Sequence, residues 1–205
     1  TIHPRHKDVW YWLIPFGDGR CSLGVVAEPA FYEQYEHLDE KTRLQTIINQ
    51  DPYLKELLSN AEYDRPIRAI KGYSASVTSL YGPGFALLGN AGEFLDPVFS
   101  SGVTIALKSA SLASKVLDQQ LQGNEVDWQS QFAEPLMIGV NTFRTYVDAW
   151  YDGRFQDVIY YKAQQPEVKR MVCSILAGYA WDTSNPFVKE SERRLNVLAQ
   201  LCQSD

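Results

Sequence analysis

The stretch from residue 85 to residue 121 sets the tightest limit on how this chain can fold. It runs Phe85-Ala86-Leu87-Leu88, Gly89-Asn90-Ala91-Gly92, Glu93-Phe94-Leu95-Asp96-Pro97-Val98-Phe99 and Ser100-Ser101-Gly102, then continues without a proline. The first four residues form an unbroken apolar run, the pattern of a strand covered on both faces. Gly89, Ala91 and Gly92 then strip the turn of side-chain bulk, so a large group can approach the backbone. Asp96-Pro97 forces an extended bend, and Ser100 or Ser101 suits the cap of a helix. From Val103 onward, Ala106, Leu107, Ala110, Ala113, Val116, Leu117 and Leu121 recur at helical spacing. The reading is a strand, a small-residue turn, a corner and a helix N-terminus. Unpaired N–H groups and a partial positive charge at such a terminus suit an anionic partner. An ordinary strand–turn–helix connection is the alternative that spacing leaves open.

With 205 residues and 45% hydrophobic content, the chain can bury a sizeable core in one or two domains. A net charge of −6 argues against nucleic acid as a partner. No apolar run reaches the roughly 18 residues of a membrane span, and no basic start is followed by a signal-peptide core. Cys21, Cys173 and Cys202 are odd in number and far apart. They show neither zinc spacing nor a disulfide framework, which fits a reducing, cytoplasmic setting. His3 and His6 offer a possible metal pair, with a frayed terminus as the simpler reading.

Two β-rich runs, 9–14 and 21–26, flank Gly17-Asp18-Gly19, the signal of a hairpin. Trp10 and Trp12 fall on one face of the first run and pack as an aromatic pair. Residues 31–60 read as covering helices, with Asp39 capping one and Pro52 starting another. Residues 67–79 alternate like a strand, which makes Arg68 and Lys71 exposed strand positions. Beyond Gln122-Gly123 the sequence is helical. Phe143, Val147, Trp150, Tyr151, Phe155, Val158 and Ile159 recur at three- and four-residue intervals across a break at Asp152-Gly153. They serve either as core or, with Tyr160, Tyr161, Tyr179 and Trp181, as walls of a substrate cavity. Leu195, Leu198 and Leu201 suggest a last amphipathic helix.

Two groups of letters say more than spacing does. Gly89-Asn90-Ala91-Gly92-x-Phe94-x-Asp96-Pro97-Val98-Phe99-Ser100-Ser101-Gly102-Val103 resembles the second FAD-binding motif of flavin-dependent halogenases and related group-A flavoprotein oxidoreductases. Asn90 stands where that family carries Asp. Trp10-x-Trp12-x-Ile14-Pro15 matches the family's Trp-x-Trp-x-Ile-Pro signature at every fixed position. The resemblance implies an α+β chain that forms part of an α/β FAD-binding oxidoreductase fold. It implies a substrate-domain sheet with covering helices over 1–80, the last strand, turn and helix of the FAD domain over 81–122, and a helical region over 123–205.

The resemblance also assigns residues. Gly89, Asn90, Asp96, Pro97, Gly102 and Val103 would contact FAD, the amides of Ser101 and Gly102 would hold halide, and Trp10, Trp12, Ile14 and Pro15 would belong to the tunnel between flavin and substrate. In the family, reduced FAD, oxygen and halide act on an electron-rich ring, and a lysine relays the halogen. That lysine, and the Gly-x-Gly-x-x-Gly that binds the pyrophosphate, are expected upstream of Thr1, so the chain reads as the C-terminal part of a longer protein and as inactive alone. Phe99 stands where tryptophan-acting members place a glutamate, which resembles the pyrrole- and phenol-acting branch. The implied partners are a small-molecule or carrier-protein-tethered aromatic substrate and a flavin reductase. A monooxygenase or dehydrogenase of the same fold, and a non-redox module binding a hydrophobic or carrier-tethered ligand, are the alternatives.

Overall fold

In the computed structural model, which describes residues 1–203, the chain forms two units, Thr1–Lys71 and the residues from Gly72 onward. The first unit grows from the hairpin. Strand β1 (Trp10–Pro15) pairs antiparallel with β2 (Cys21–Val26), Trp10 lying opposite Val26 and Pro15 opposite Cys21. Val9, Tyr11 and Leu13 point to one face. There they meet Phe31 of α1 (Pro29–Glu33), Ile47 and Ile48 of α2 (Glu40–Ile48) and Leu54 of α3 (Pro52–Leu57). The buried Tyr11 hydroxyl donates to the Ile47 carbonyl at 3.1 Å. Asp39 caps α2 through the amides of Lys41 and Thr42, as its position before the helix predicts.

The start of the chain is packed rather than frayed. The Thr1 amino group bonds the Tyr11 carbonyl and the His3 amide bonds that of Val9. His3 is buried, its Nδ1 accepting from the Arg5 amide and its Nε2 meeting Gln50 Oε1 at 3.1 Å. Both ring nitrogens are thus engaged by protein groups, which removes the metal-pair reading.

In the second unit the strand expected over 67–79 shrinks to β3 (Ala75–Ser76), paired with β6 (Glu93–Phe94). Between them β4 (Tyr81–Gly82) and β5 (Phe85–Ala86) make a hairpin around Pro83-Gly84, with Gly84 at φ +82°. The strand over 85–88 is therefore not covered on both faces. The tight turn and the 3-10 turn at Gly89–Ala91 leave it two residues long, and Phe85 is 50% exposed. Helices follow: α4 (Gly102–Leu121), a π-turn at Gln129–Ala133, α5 (Glu134–Tyr151), α6 (Arg154–Tyr160), α7 (Pro166–Leu176), α8 (Pro186–Lys189) and α9 (Ser191–Gln203). The break at Gly153 adopts φ +89°.

Helix α4 buries Ile105, Ser109, Ala113 and Val116, whereas Leu107 and Leu121 are exposed. Ala113 and Val116 of the expected face are thus buried, while Ile105 and Ser109 join them where the Gly89 turn lies against the helix. Phe143, Val147, Trp150, Phe155 and Val158 are core, while Tyr160 and Tyr179 lie on the surface. Leu195 is buried and Leu201 exposed in α9. Small antiparallel sheets beside helices make this the α+β chain expected. Among the described residues no helix is long and apolar enough to cross a membrane.

Candidate functional site

Where the Gly89 turn meets the start of α4 there is a cavity of about 640 Å³, within the span of roughly 300–1,000 Å³ usual for ligand pockets. Close contact builds one wall. Gly89 sits at φ +52°, and a Cβ added there would lie 3.0 Å from the Ala106 Cβ. Its N–H donates to Ser109 Oγ at 2.9 Å, and that hydroxyl donates to the Ala106 carbonyl. Glycine is required for both reasons. Asn90 is exposed beside the mouth of the helix, its Oδ1 3.3 Å from where a Cβ of Gly102 would stand.

The corner builds the other wall. Asp96 Oδ1 accepts from the Val98 amide at 2.9 Å, and the carboxyl also accepts from the Tyr73 and Tyr151 hydroxyls. Burial pushes this carboxyl above its ordinary value, against the pull of those three donors. Ser100 then adopts the left-handed conformation, φ +52° and ψ +33°, and Ser101 the right-handed one, φ −72° and ψ −15°. Such a pair turns successive N–H groups toward one side, the geometry of an anion-binding concavity.

Ser101 occupies the cap position of α4 but makes no side-chain cap, because its backbone is helical rather than extended. The first backbone bond of the helix runs from the Ile105 amide to the Ser101 carbonyl. Among the described residues, the amides of Ser101, Gly102, Val103 and Thr104 therefore have no acceptor. Ser101, Gly102 and Val103 line the cavity together with Gly89, Asn90, Asp96 and Pro97. The site can hold an anion or an electron-rich edge against free donors, with the dipole of a 20-residue helix behind them.

Trp10 and Trp12 share a face of the first unit, ring centroids 6.1 Å apart. Trp12 lies over Gly24 and donates from Nε1 to Ser22 Oγ, while Ile14 and Pro15 are exposed. Phe99 packs edge-on against Trp150 and Phe155. Trp150 Nε1 is buried without an acceptor among the described residues.

Three sets of residues at the site escape sequence reasoning. Ser109 looks like any small helical residue, although it holds the Gly89 amide. Glu93 is 4% exposed and paired with Arg144 at 2.7 Å; burial raises its carboxyl and Arg144 draws it back. Tyr73 and Tyr151 reach Asp96 across gaps in sequence that no local pattern marks.

No family model matches the chain. A flavin-dependent halogenase, gsfI, of Penicillium aethiopicum is 34% identical over 71% of this chain and 28% of its own length. The 1H-pyrrole-2-carbonyl-[peptidyl-carrier protein] chlorinase of Pseudomonas fluorescens is 26% identical over 95% of this chain and 41% of its own. Among solved structures, a flavoprotein/dehydrogenase of Cytophaga hutchinsonii superposes with a TM-score of 0.92 at 43% identity, over 97% of this chain and 49% of its own. The chain spans less than half the length of each of these three proteins.

Proposed function

We propose a function from one premise: the chain belongs to the halogenase-like family of FAD-dependent oxidoreductases. FAD is the cofactor of that family, and residues 88–106 receive its isoalloxazine end at the mouth of α4. The residues present fit such a group. The cavity has the volume, Gly102 puts no side chain at the mouth of α4, and the free amides of Ser101, Gly102 and Val103 offer donors to a ring edge that becomes negative on reduction. Those three unpaired amides beside the cavity are the observation that carries the reading.

FAD, when bound, supplies the redox chemistry. The chain's own residues bind and orient. The Ser101 and Gly102 amides hold a halide ion, Asn90 accepts and donates along the ribityl chain, and Pro97 and Val103 give the ring apolar contact. The field of α4 favours negative charge at its mouth. The resemblance at Trp10–Pro15 assigns that strand the role of keeping substrate from direct oxygenation.

The whole protein halogenates an electron-rich aromatic, with Phe99 in place of a base. The match to a chlorinase of a carrier-bound pyrrole supports a carrier-tethered substrate, and a flavin reductase supplies the reduced cofactor. A dehydrogenase is the second reading, favoured by the 43% identity to a flavoprotein/dehydrogenase.

The test incubates the intact protein with reduced FAD, oxygen, and chloride or bromide. Phenol and pyrrole probes are offered free and carrier-tethered, and products are read by mass spectrometry. A halogen isotope pattern in the product is expected. Hydroxylated product without halogen reassigns the protein as a monooxygenase, and loss of two hydrogens without oxygen insertion as a dehydrogenase. A colourless protein that takes up no FAD overturns the redox reading in favour of a binding module.

A further inference from the structure

We infer that α5 positions the mouth of α4 through two polar ties, Arg144 to Glu93 and Tyr151 to Asp96, and so sets cofactor affinity from outside the cavity. The inference rests on the functional reading above. Neither Arg144 nor Tyr151 lines the cavity, whereas Glu93 and Asp96 both do.

The two spacings match. Glu93 and Asp96 are three residues apart, a reach of at most roughly 10 Å, and the chain leaves strand β6 after Phe94. Arg144 and Tyr151 are seven apart, two turns along one face of α5, or roughly 10.5 Å. The cavity wall therefore lies along the helix with both ties made at once. Phe99 continues the alignment, its ring against Trp150 at the end of α5 and Phe155 in α6.

The wall is also held by the Tyr73 hydroxyl on Asp96, the Ser74 hydroxyl on the Phe94 carbonyl and the buried Leu95, but its strand pairing is short. Strand β6 pairs over only two residues, Glu93 and Phe94. Ser100, immediately beyond, is the only non-glycine residue with positive φ among those described. Such a conformation persists where its surroundings over-determine it, and the bonds at Asp96 and the aromatic contact at Phe99 are those surroundings. Among the described residues the one side-chain bond to Glu93 comes from Arg144 Nη2. Removing the guanidinium leaves a buried carboxyl alone, which shifts the wall or takes up a proton. Either change redirects the amides of Ser101 and Gly102.

The test titrates oxidised FAD into the intact protein by fluorescence quenching, with thermal denaturation without FAD alongside. Arg144→Met weakens FAD binding on the order of tenfold, the size of loss seen when a partner that orients a metal ligand is removed. Arg144→Lys, which keeps the charge, restores most of it. Tyr151→Phe weakens binding several-fold and, losing one hydroxyl, carries the test if Arg144→Met does not fold. Arg154→Met, which removes the ion pairs of α6 with Asp152 and Glu192, lowers the melting temperature but leaves affinity within about twofold. Parental affinity in both Arg144→Met and Tyr151→Phe overturns the inference. So does failure of Arg144→Lys to restore binding, or an affinity loss that merely follows melting temperature through Arg154→Met. An unsubstituted protein that binds no FAD removes the functional reading itself; unchanged variants beside an FAD-binding parent remove this inference alone.

Discussion

Replacing Gly89 with alanine tests the construction of the cavity wall most directly. Two costs act together. The left-handed φ of +52° is disfavoured for an L-residue by roughly 1–2 kcal/mol. The new Cβ also lies 3.0 Å from the Ala106 Cβ and 3.3 Å from its Cα, an overpacking worth about 1–3 kcal/mol because a helix backbone gives little. The alanine loses less chain entropy on folding, which returns about 0.4–1 kcal/mol. The net expectation is a loss of about 1–5 kcal/mol from the second unit, with weaker FAD binding in the intact protein. Ser109→Ala acts on the same contact from the other side, leaving the buried Gly89 amide without its acceptor at a cost of about 1–3 kcal/mol. Because both changes separate the turn from α4, the double variant loses less than the sum of the singles. Urea unfolding followed by circular dichroism measures all three. Transitions of the two units need to be resolved before a single free energy is assigned. A loss under about 0.5 kcal/mol for Gly89→Ala, or full additivity with Ser109→Ala, refutes the account of a turn pressed onto the helix.

Two further predictions concern the first unit. Gly24→Ala places a methyl 2.1 Å from the Trp12 ring; the indole swings out, its bond to Ser22 breaks, and tryptophan emission shifts to the red with a loss of about 1–3 kcal/mol. Unshifted emission refutes the stacked arrangement. His3 is held below its ordinary pKa of 6.5, chiefly by burial, with the Gln50 hydrogen bond acting the other way. The fold thus favours the neutral ring. Its contribution is complete above pH 6.5 and declines as the pH falls below that value toward the lowered one. Melting temperatures between pH 5 and 8 should show this decline in the parent and a flatter profile in His3→Gln.

Local features of the fold were legible in the residues and distant ties were not. The hairpin of Trp10–Pro15 and Cys21–Val26 follows from alternation around an Asp-Gly turn, all within 17 residues. The cap at Asp39, the corner at Asp96-Pro97 and the break at Gly153 are likewise decided by their neighbours. Alternation over 67–79 misleads because a strand also needs a partner, and only Ala75 and Ser76 find one. Apolar spacing marks Ala113 and Val116, which are buried, but passes over Ser109, whose small polar side chain is buried because it holds the amide of the Gly89 turn. The Gly89–Ser109, Glu93–Arg144 and Asp96–Tyr151 contacts span 20, 51 and 55 residues. Nothing in a local pattern specifies which polar residues meet across such gaps.

These distant ties also bear on what chemistry the mouth of α4 supports. Its lining contains two carboxyls, and both are engaged. Glu93 is paired with Arg144, and Asp96 accepts from an amide and two tyrosine hydroxyls. Phe99, two residues beyond the cavity-lining Pro97, rests its ring against Trp150 and Phe155. A carboxylate there would exchange water for two aromatic rings, a transfer that polar groups make only with compensating hydrogen bonds. The mouth is therefore rich in fixed donors and, among the described residues that line it, has no unengaged carboxyl. Such a surface stabilises negative charge without removing protons.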